Sequence, residues 1–220
     1  MPEYTGNVVV GGAWDTRALD ELSVTKLAVG PMSNNAYLLR CTATGEGLLI
    51  DAANEPDRLA DLVRLGGPPV AAVLTTHQHR DHWMALEEVV ADAHAAVYAG
   101  GADADALPVA VDERLEQGDT ITVGNVSLEI IGLRGHTPGS VAALYRDPRG
   151  RPHLFTGDAL FPGGVGRTTN PQDFASLMND VEERIFAQLP DETWFYPGHG
   201  DDSTLGAERP HLAEWRARGW

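Results

Sequence analysis

Three histidines and an aspartate crowd one short stretch, His77-Gln78-His79-Arg80-Asp81-His82. Imidazole and carboxylate are preferred ligands of Zn²⁺ and similar divalent ions. Alternate residues of an extended loop share a side, so His77 and His79 point one way while Asp81 and His82 turn toward a neighbouring position. That arrangement suits two metals better than one. Three further segments could complete the shell. Gly135-His136-Thr137-Pro138-Gly139-Ser140 sets a histidine in a Gly/Pro turn, and Phe155-Thr156-Gly157-Asp158-Ala159 ends a strand with a carboxylate. Tyr196-Pro197-Gly198-His199-Gly200 follows the last strand with another histidine. Singly, each reads as a turn residue. Together they deliver one ligand each from three strand ends.

Something must hold these loops. Short β-rich pieces are expected at Asn7–Val10, Ser23–Val29, Ala36–Cys41 and Gly47–Ile50, separated by Gly, Pro, Asn and Ser. Leu59, Leu62, Val63 and Leu65 recur at helical intervals between Glu55 and Leu65, and Gly66-Gly67-Pro68-Pro69 stops that helix. Val70–Leu74 is a short apolar run, as in a strand buried on both faces, and it leads straight into the histidine motif. The motif therefore emerges at a strand's carboxyl end, where α/β proteins place ligands. A helix over 83–93 and a strand over Ala95–Tyr98 follow. The second half repeats the mixture, with strands at Thr120–Val123, Val126–Ile131, Val141–Tyr145, His153–Thr156 and Thr193–Tyr196. Helices are expected from Gln172 to about Leu189 and over Glu208–Arg218. Two β-then-α halves with helices outside strands predict a four-layer αβ/βα sandwich, read as one domain over residues 1–220.

The order HxHxDH, then His136, Asp158 and His199 at Gly-rich strand ends, resembles the metallo-β-lactamase-fold hydrolases. Within them it is most similar to the glyoxalase II-type branch, the hydroxyacylglutathione hydrolases and their shorter relatives. The resemblance covers roughly Thr25 to Gly200. It implies that His77, His79 and His136 hold one metal, that Asp81, His82 and His199 hold a second, and that Asp158 bridges both. It also implies the αβ/βα sandwich and two divalent ions, Zn²⁺ first, with Fe or Mn as the other choices. Two such ions about 3.5–4 Å apart can share a hydroxide and polarise a carbonyl. Asp81 would ligate one ion while orienting the nucleophile or taking its proton. The expected activity is hydrolysis of a small acyl thioester, a glutathione or mycothiol conjugate. Alternatives of the same fold are a mono-iron persulfide dioxygenase and an acyl-lactone hydrolase. Asp158 argues against a β-lactam substrate, because the true β-lactamases lack the bridging carboxylate.

Around the ligands four residues stand out. Asp51 ends the strand Leu48-Leu49-Ile50, where it either accepts the second N–H of a ligand histidine or caps a turn before Asn54. Thr137 and Tyr196 are equally open between site and scaffold. Arg167, in the Gly-rich loop after Asp158, either meets an acidic substrate group or forms an internal salt bridge. His94, His153 and His211 sit at no motif and read as structural or surface residues.

Composition narrows the chemistry. Sixteen Lys+Arg against 32 Asp+Glu give a formal charge of −16, and Lys26 is the single lysine. Such a field repels a phosphate polyanion, so nucleic acid is not an expected partner. No apolar stretch approaches the ~18 residues of a membrane span, and Met1-Pro2-Glu3-Tyr4 opens no leader pattern. A cytoplasmic protein without membrane attachment is expected, its single Cys41 reduced and mid-strand. About twenty residues follow His199-Gly200. The helical domain that holds glutathione in full-length glyoxalase II is therefore not expected, and neither is its thiol-carrier site.

Overall fold

A computed structural model describes residues 3–148 and 150–219. Met1 and Pro2, on which the reading of the N-terminus partly rests, lie outside the described residues, as do Arg149 and Trp220. One mixed sheet runs in chain order. It contains β1 (Asp15–Ala18), β2 (Leu22–Val29), β3 (Asn34–Cys41), β4 (Gly47–Ile50), β5 (Ala72–Thr75), β6 (Ala96–Gly100) and β7 (Glu113–Leu115). β1 to β4 pair antiparallel, and β4 to β7 pair parallel. Crossovers carrying α1 (Pro56–Val63) and α2 (Leu86–Ala93) join β4 to β5 and β5 to β6, and a loop with one 3₁₀ turn joins β6 to β7.

The second sheet holds β8 (Thr120–Val123), β9 (Val126–Gly132), β10 (Val141–Arg146) and β11 (Pro152–Gly157). A small hairpin, β12 (Leu160–Phe161) and β13 (Gly164–Val165), precedes α3 (Pro171–Asp180). Then β14 (Trp194–Pro197) lies parallel to β11, and β15 (Ser203–Thr204) closes that edge.

Alternation along the strands makes the layers. Leu48 and Ile50 point between the two sheets, where they meet Ile121, Leu128, Ile130, Phe155 and Tyr196. Leu49, one residue out of phase, joins Leu38 and the buried faces of α1 and α2. Across the second sheet Ile131, Leu144, Leu154 and Phe195 pack on Leu177, Met178 and Trp215. Three apolar interfaces between four layers are the αβ/βα sandwich that the sequence predicts.

Several boundaries differ. Asn7–Val10 forms no strand; Gly6 and Gly11 flank it at φ 72° and 78°, and Val9 is 70% exposed. β5 begins at Ala72, after Ala71 N–H has bonded to Gly47 O at 2.9 Å. The long helix narrows to α3 and continues as one wide π-type turn over Val181–Phe186. Pro210 breaks the expected final helix into Leu205–Glu208, a 3₁₀ turn and Leu212–Arg218 (α4 and α5). Cys41 ends β3 rather than lying within it.

His153 is structural, as expected, and carries a pH-dependent load. It is 3% exposed, and its Nδ1 lies 2.9 Å from the Tyr196 hydroxyl, which donates to the neutral ring. Tyr196 thus belongs to the core. Burial, helped by the Arg17 charge, holds His153 down to about 4. A histidine whose folded pKa is depressed contributes fully above its unfolded value of about 6.5, and that contribution is lost as pH falls toward about 4. His153→Gln keeps an acceptor without the titration. Urea unfolding at about pH 7 and pH 4.5 should show the wild type losing on the order of 3 kcal/mol more than the variant. Parallel losses would place the acid sensitivity elsewhere.

Candidate metal centre

β5, β11 and β14 end on the same side of the sandwich, beside the loop between β9 and β10. Two backbone bonds lock the sheets together there, Asn35 N–H to Gly198 O at 2.7 Å and Val141 N–H to Thr76 O at 2.9 Å. The loops leaving these strands bring seven predicted residues into one cluster. His77, His79 and His136 form one group, Asp81, His82 and His199 a second, and Asp158 joins His77 and His82 in a third. Within each group the ligand-capable atoms all lie within 4.8 Å of one another.

Asp158 stands between the two halves. Its Oδ1 is 3.4 Å from His82 Nε2, and its Oδ2 is 3.5 Å from His199 Nε2 and 3.8 Å from His136 Nε2. Gly198 is required for this approach, because a Cβ there would lie 2.2 Å from Asp158 Oδ1 and 2.6 Å from His82 Cε1.

Four of the five rings are held by their outer nitrogen. His82 Nδ1–H donates to Asp51 Oδ2 at 2.8 Å, and His136 Nδ1–H to Arg167 O at 2.7 Å. His199 Nδ1–H donates to Met32 O at 3.0 Å. Thr76 gives its own proton to Asp51 Oδ2 and so accepts from His77 Nδ1–H at 3.0 Å. Each bond fixes the tautomer and turns a bare Nε2 inward, which is how metal-binding histidines are prepared. His77 Nε2, His136 Nε2 and Asp158 Oδ1 are consequently buried with no hydrogen-bond partner. Leaving such atoms unpaired costs roughly 1–3 kcal/mol each. His82 Nε2 and His199 Nε2 face one another at 3.2 Å, two lone pairs that need a positive charge between them. The donor set, all N and O, fits divalent cations, and its orphaned atoms are the places for them.

The electrostatics agree. Burial depresses His82, but the Asp51 and Asp158 carboxylates outweigh it and push the ring up to about 10. His199, also desolvated, is pushed up to about 9 by Asp158 and Asp81. Burial, with His82 and its other ring neighbours, holds His77 well below the usual imidazole range, and burial lowers His136 too. Burial raises Asp158, yet His199 and His82 hold it well below the carboxylate range; His199 does the same for Asp81. The carboxylates thus remain charged and draw protons onto two rings, which a metal would displace.

The open questions around the ligands resolve by geometry. Asp51 does not cap a turn; it takes His82 Nδ1–H, Thr76 N–H and the Thr76 hydroxyl, each at 2.8 Å, while held at φ 59°. That left-handed backbone is the strain expected where a side chain must be aimed. Thr137 reaches Asp103 rather than the cluster. Arg167 supplies its carbonyl to His136, and its exposed guanidinium makes no ion pair among the described residues, so the internal salt bridge is not formed. His94 terminates α2 at φ 54°, and His211 meets Glu214 at the surface.

Sequence reading missed Asn34. Its Nδ2 donates to Asp81 Oδ2 at 2.8 Å, and its backbone bridges His199. Only its polar run, Ser33-Asn34-Asn35, offered a signal.

The model of the Metallo-beta-lactamase superfamily matches residues 29–199, a span containing all seven clustered residues. The chain belongs to that superfamily. Among its relatives it is 37% identical to a hydroxyacylglutathione hydrolase of Polaromonas sp., over 76% of this chain and 62% of the relative. The chain thus spans about three fifths of the length of the first hydroxyacylglutathione hydrolases it matches. It is 30% identical to a probable polyketide biosynthesis zinc-dependent hydrolase of Bacillus velezensis, over 82% of this chain and 79% of that one. Among solved structures, TTHA1623 in a di-iron-bound form aligns with a TM-score of 0.69 and 33% identity. That alignment covers 84% of this chain and 96% of TTHA1623. No helix among the described residues is long and apolar enough to cross a membrane.

Proposed function

We propose that this chain is a dinuclear metal-dependent hydrolase of a small acyl thioester. The observation that carries the reading is the two groups gathered around Asp158, in which His77, His82, His136 and His199 turn Nε2 inward with Nδ1 already bonded. His77, His79 and His136 would hold one ion, Asp81, His82 and His199 the other, and Asp158 both. Bound there, such ions supply Lewis acidity and a water acidic enough to provide a nucleophile near neutral pH. The chain's own residues orient and move protons. Asn34 fixes Asp81 through Oδ2, and Asp81, held as a carboxylate by His199, is the group placed to take a proton from the nucleophile. Asp51 keeps His82 in one tautomer. A thiol route has no support, because Cys41 is 1% exposed and packs beside Gly124, at the turn joining β8 to β9.

Zinc fits this N/O donor set, as iron and manganese do, and the similarity to a zinc-dependent hydrolase and to a di-iron structure supports a metal at each group. Thioester chemistry is supported by the hydroxyacylglutathione hydrolases, and glutathione or mycothiol is the proposed carrier.

Elemental analysis of protein purified without added metal, followed by a substrate panel, tests this. About two ions per chain are expected, with turnover of glutathione, mycothiol or coenzyme A thioesters exceeding that of an acyl lactone or a β-lactam. Preference for the lactone would move the protein to the lactonases. One iron with oxygen uptake on a persulfide would replace hydrolysis by dioxygenation.

A further inference from the structure

His77 and His79 lie on the loop after β5, and His136 on the loop between β9 and β10. One buried side chain touches both loops. Asp103, 1% exposed, sits just beyond β6, and its Oδ2 accepts Gln78 N–H at 2.9 Å, in the peptide unit between His77 and His79. The same oxygen accepts the hydroxyl of Thr137, the neighbour of His136, at 2.5 Å. Its Oδ1 accepts Gly139 N–H at 2.7 Å. Ser140 Oγ lies 2.6 Å from Thr137 Oγ1 and donates to it, since the Thr137 proton is committed to Asp103. The two turns meet backbone to side chain because residue 139 is glycine; a Cβ there would lie 2.4 Å from Asp103 N.

We propose that Asp103 is a positioning residue that sets the spacing of the three-histidine face by clamping both loops to one carboxylate. The inference rests on the metal reading above. β4, β5 and β6 are parallel neighbours, so Asp51 and Asp103 stand at strand ends on either side of the motif. Asp51 acts directly on His82; Asp103 acts through the backbone that carries His77, His79 and His136. Its three bonds are all acceptances, which a carboxylate satisfies at both oxygens and an amide cannot. In Asp103→Asn, one face of the side chain must present N–H to N–H or to hydroxyl, whichever way the amide turns.

The test is stepwise Zn²⁺ titration of the metal-free full-length chain against a chromophoric chelator, with Co²⁺ absorption spectra as a second readout. Assignment of the first position comes from a His199→Ala background, which disables the other. Asp103→Asn should weaken the His77/His79/His136 position by about 10–100-fold and shift its Co²⁺ bands, leaving the other position unchanged. Thr137→Val, which removes one of the three donors, should weaken the same position several-fold. A simple structural staple would lower thermal stability and weaken both positions alike; that result, or unchanged affinity at the first position, overturns the proposal. Should Asp103→Asn fail to fold, Thr137→Val decides by the same titration. A wild-type chain that takes up no ion would instead overturn the metal reading itself.

Discussion

Alanine at position 158 is expected to strip both ions at once, where alanine at 199 removes only one. The oxygens of Asp158 approach rings of both halves, 3.4 Å from His82 and 3.8 Å from His136. His199 approaches Asp81 and His82 but belongs to no group with His77 or His79. Removing the carboxylate also leaves five imidazoles without the negative charge at their centre, which disfavours any cation among them. Metal content should fall from about two ions per chain to well under one in Asp158→Ala, and to about one in His199→Ala. Thioester kcat/KM should drop by roughly 10³-fold or more in Asp158→Ala, through loss of transition-state charge stabilisation. Elemental analysis after gel filtration, beside circular dichroism to establish folding, reads the outcome. Retention of one ion by both variants would contradict the bridging role.

What the sequence displayed, it displayed through local pattern. The HxHxDH motif is contiguous, and the alternation of Leu48, Leu49 and Ile50 between two different cores is visible as an apolar run at a strand end. β1 was hidden because Asp15-Thr16-Arg17-Ala18 is an edge strand, intermediate to exposed, and needs no apolar face. β7, Glu113-Arg114-Leu115, is an edge of the same kind. Asn7–Val10 misled in the opposite direction. Its β-branched residues favour a strand, but no strand pairs with it among the described residues. Asp51 could not be assigned from spacing, since only the parallel pairing of β4 with β5 brings it beside Thr76 and His82. Asp103, Asn34 and Lys26 are further from legibility still. Asn34 meets Asp81 47 residues away, and Lys26 meets Asp202 176 residues away, distances over which no motif extends. The clustered residues therefore read out from sequence, while the groups that orient them are products of the fold.

Lys26, the chain's single lysine, is expected to give the largest stability loss outside the His/Asp cluster. Its side chain is 0% exposed, and its Nζ donates to Gly6 O, Gly200 O and Asp202 Oδ1 at 2.9, 2.8 and 2.7 Å. It thereby ties the N-terminal segment and the loop just after His199 to β2. Burial pushes the Asp202 carboxyl up and Lys26 opposes that shift, with Tyr4 O–H adding a bond at 2.6 Å. Lys26→Met fills the space but leaves a buried carboxylate without its counter-charge, a change that costs about 3–5 kcal/mol. Urea unfolding near pH 7 should show that loss, with Tm lower by on the order of 10 °C. Adding Asp202→Asn removes the unpaired charge, so the double variant should recover part of the deficit, with a coupling of about 2 kcal/mol. Acid should act in the same direction. In Lys26→Met the folded-state pKa of Asp202 lies above its unfolded value, so stability is retained below about pH 4 and lost as pH rises through the folded pKa. The gap between wild type and Lys26→Met must therefore narrow as pH falls toward 4, whereas a lysine acting only through its two carbonyl contacts would leave the gap constant and the double variant no better than the single.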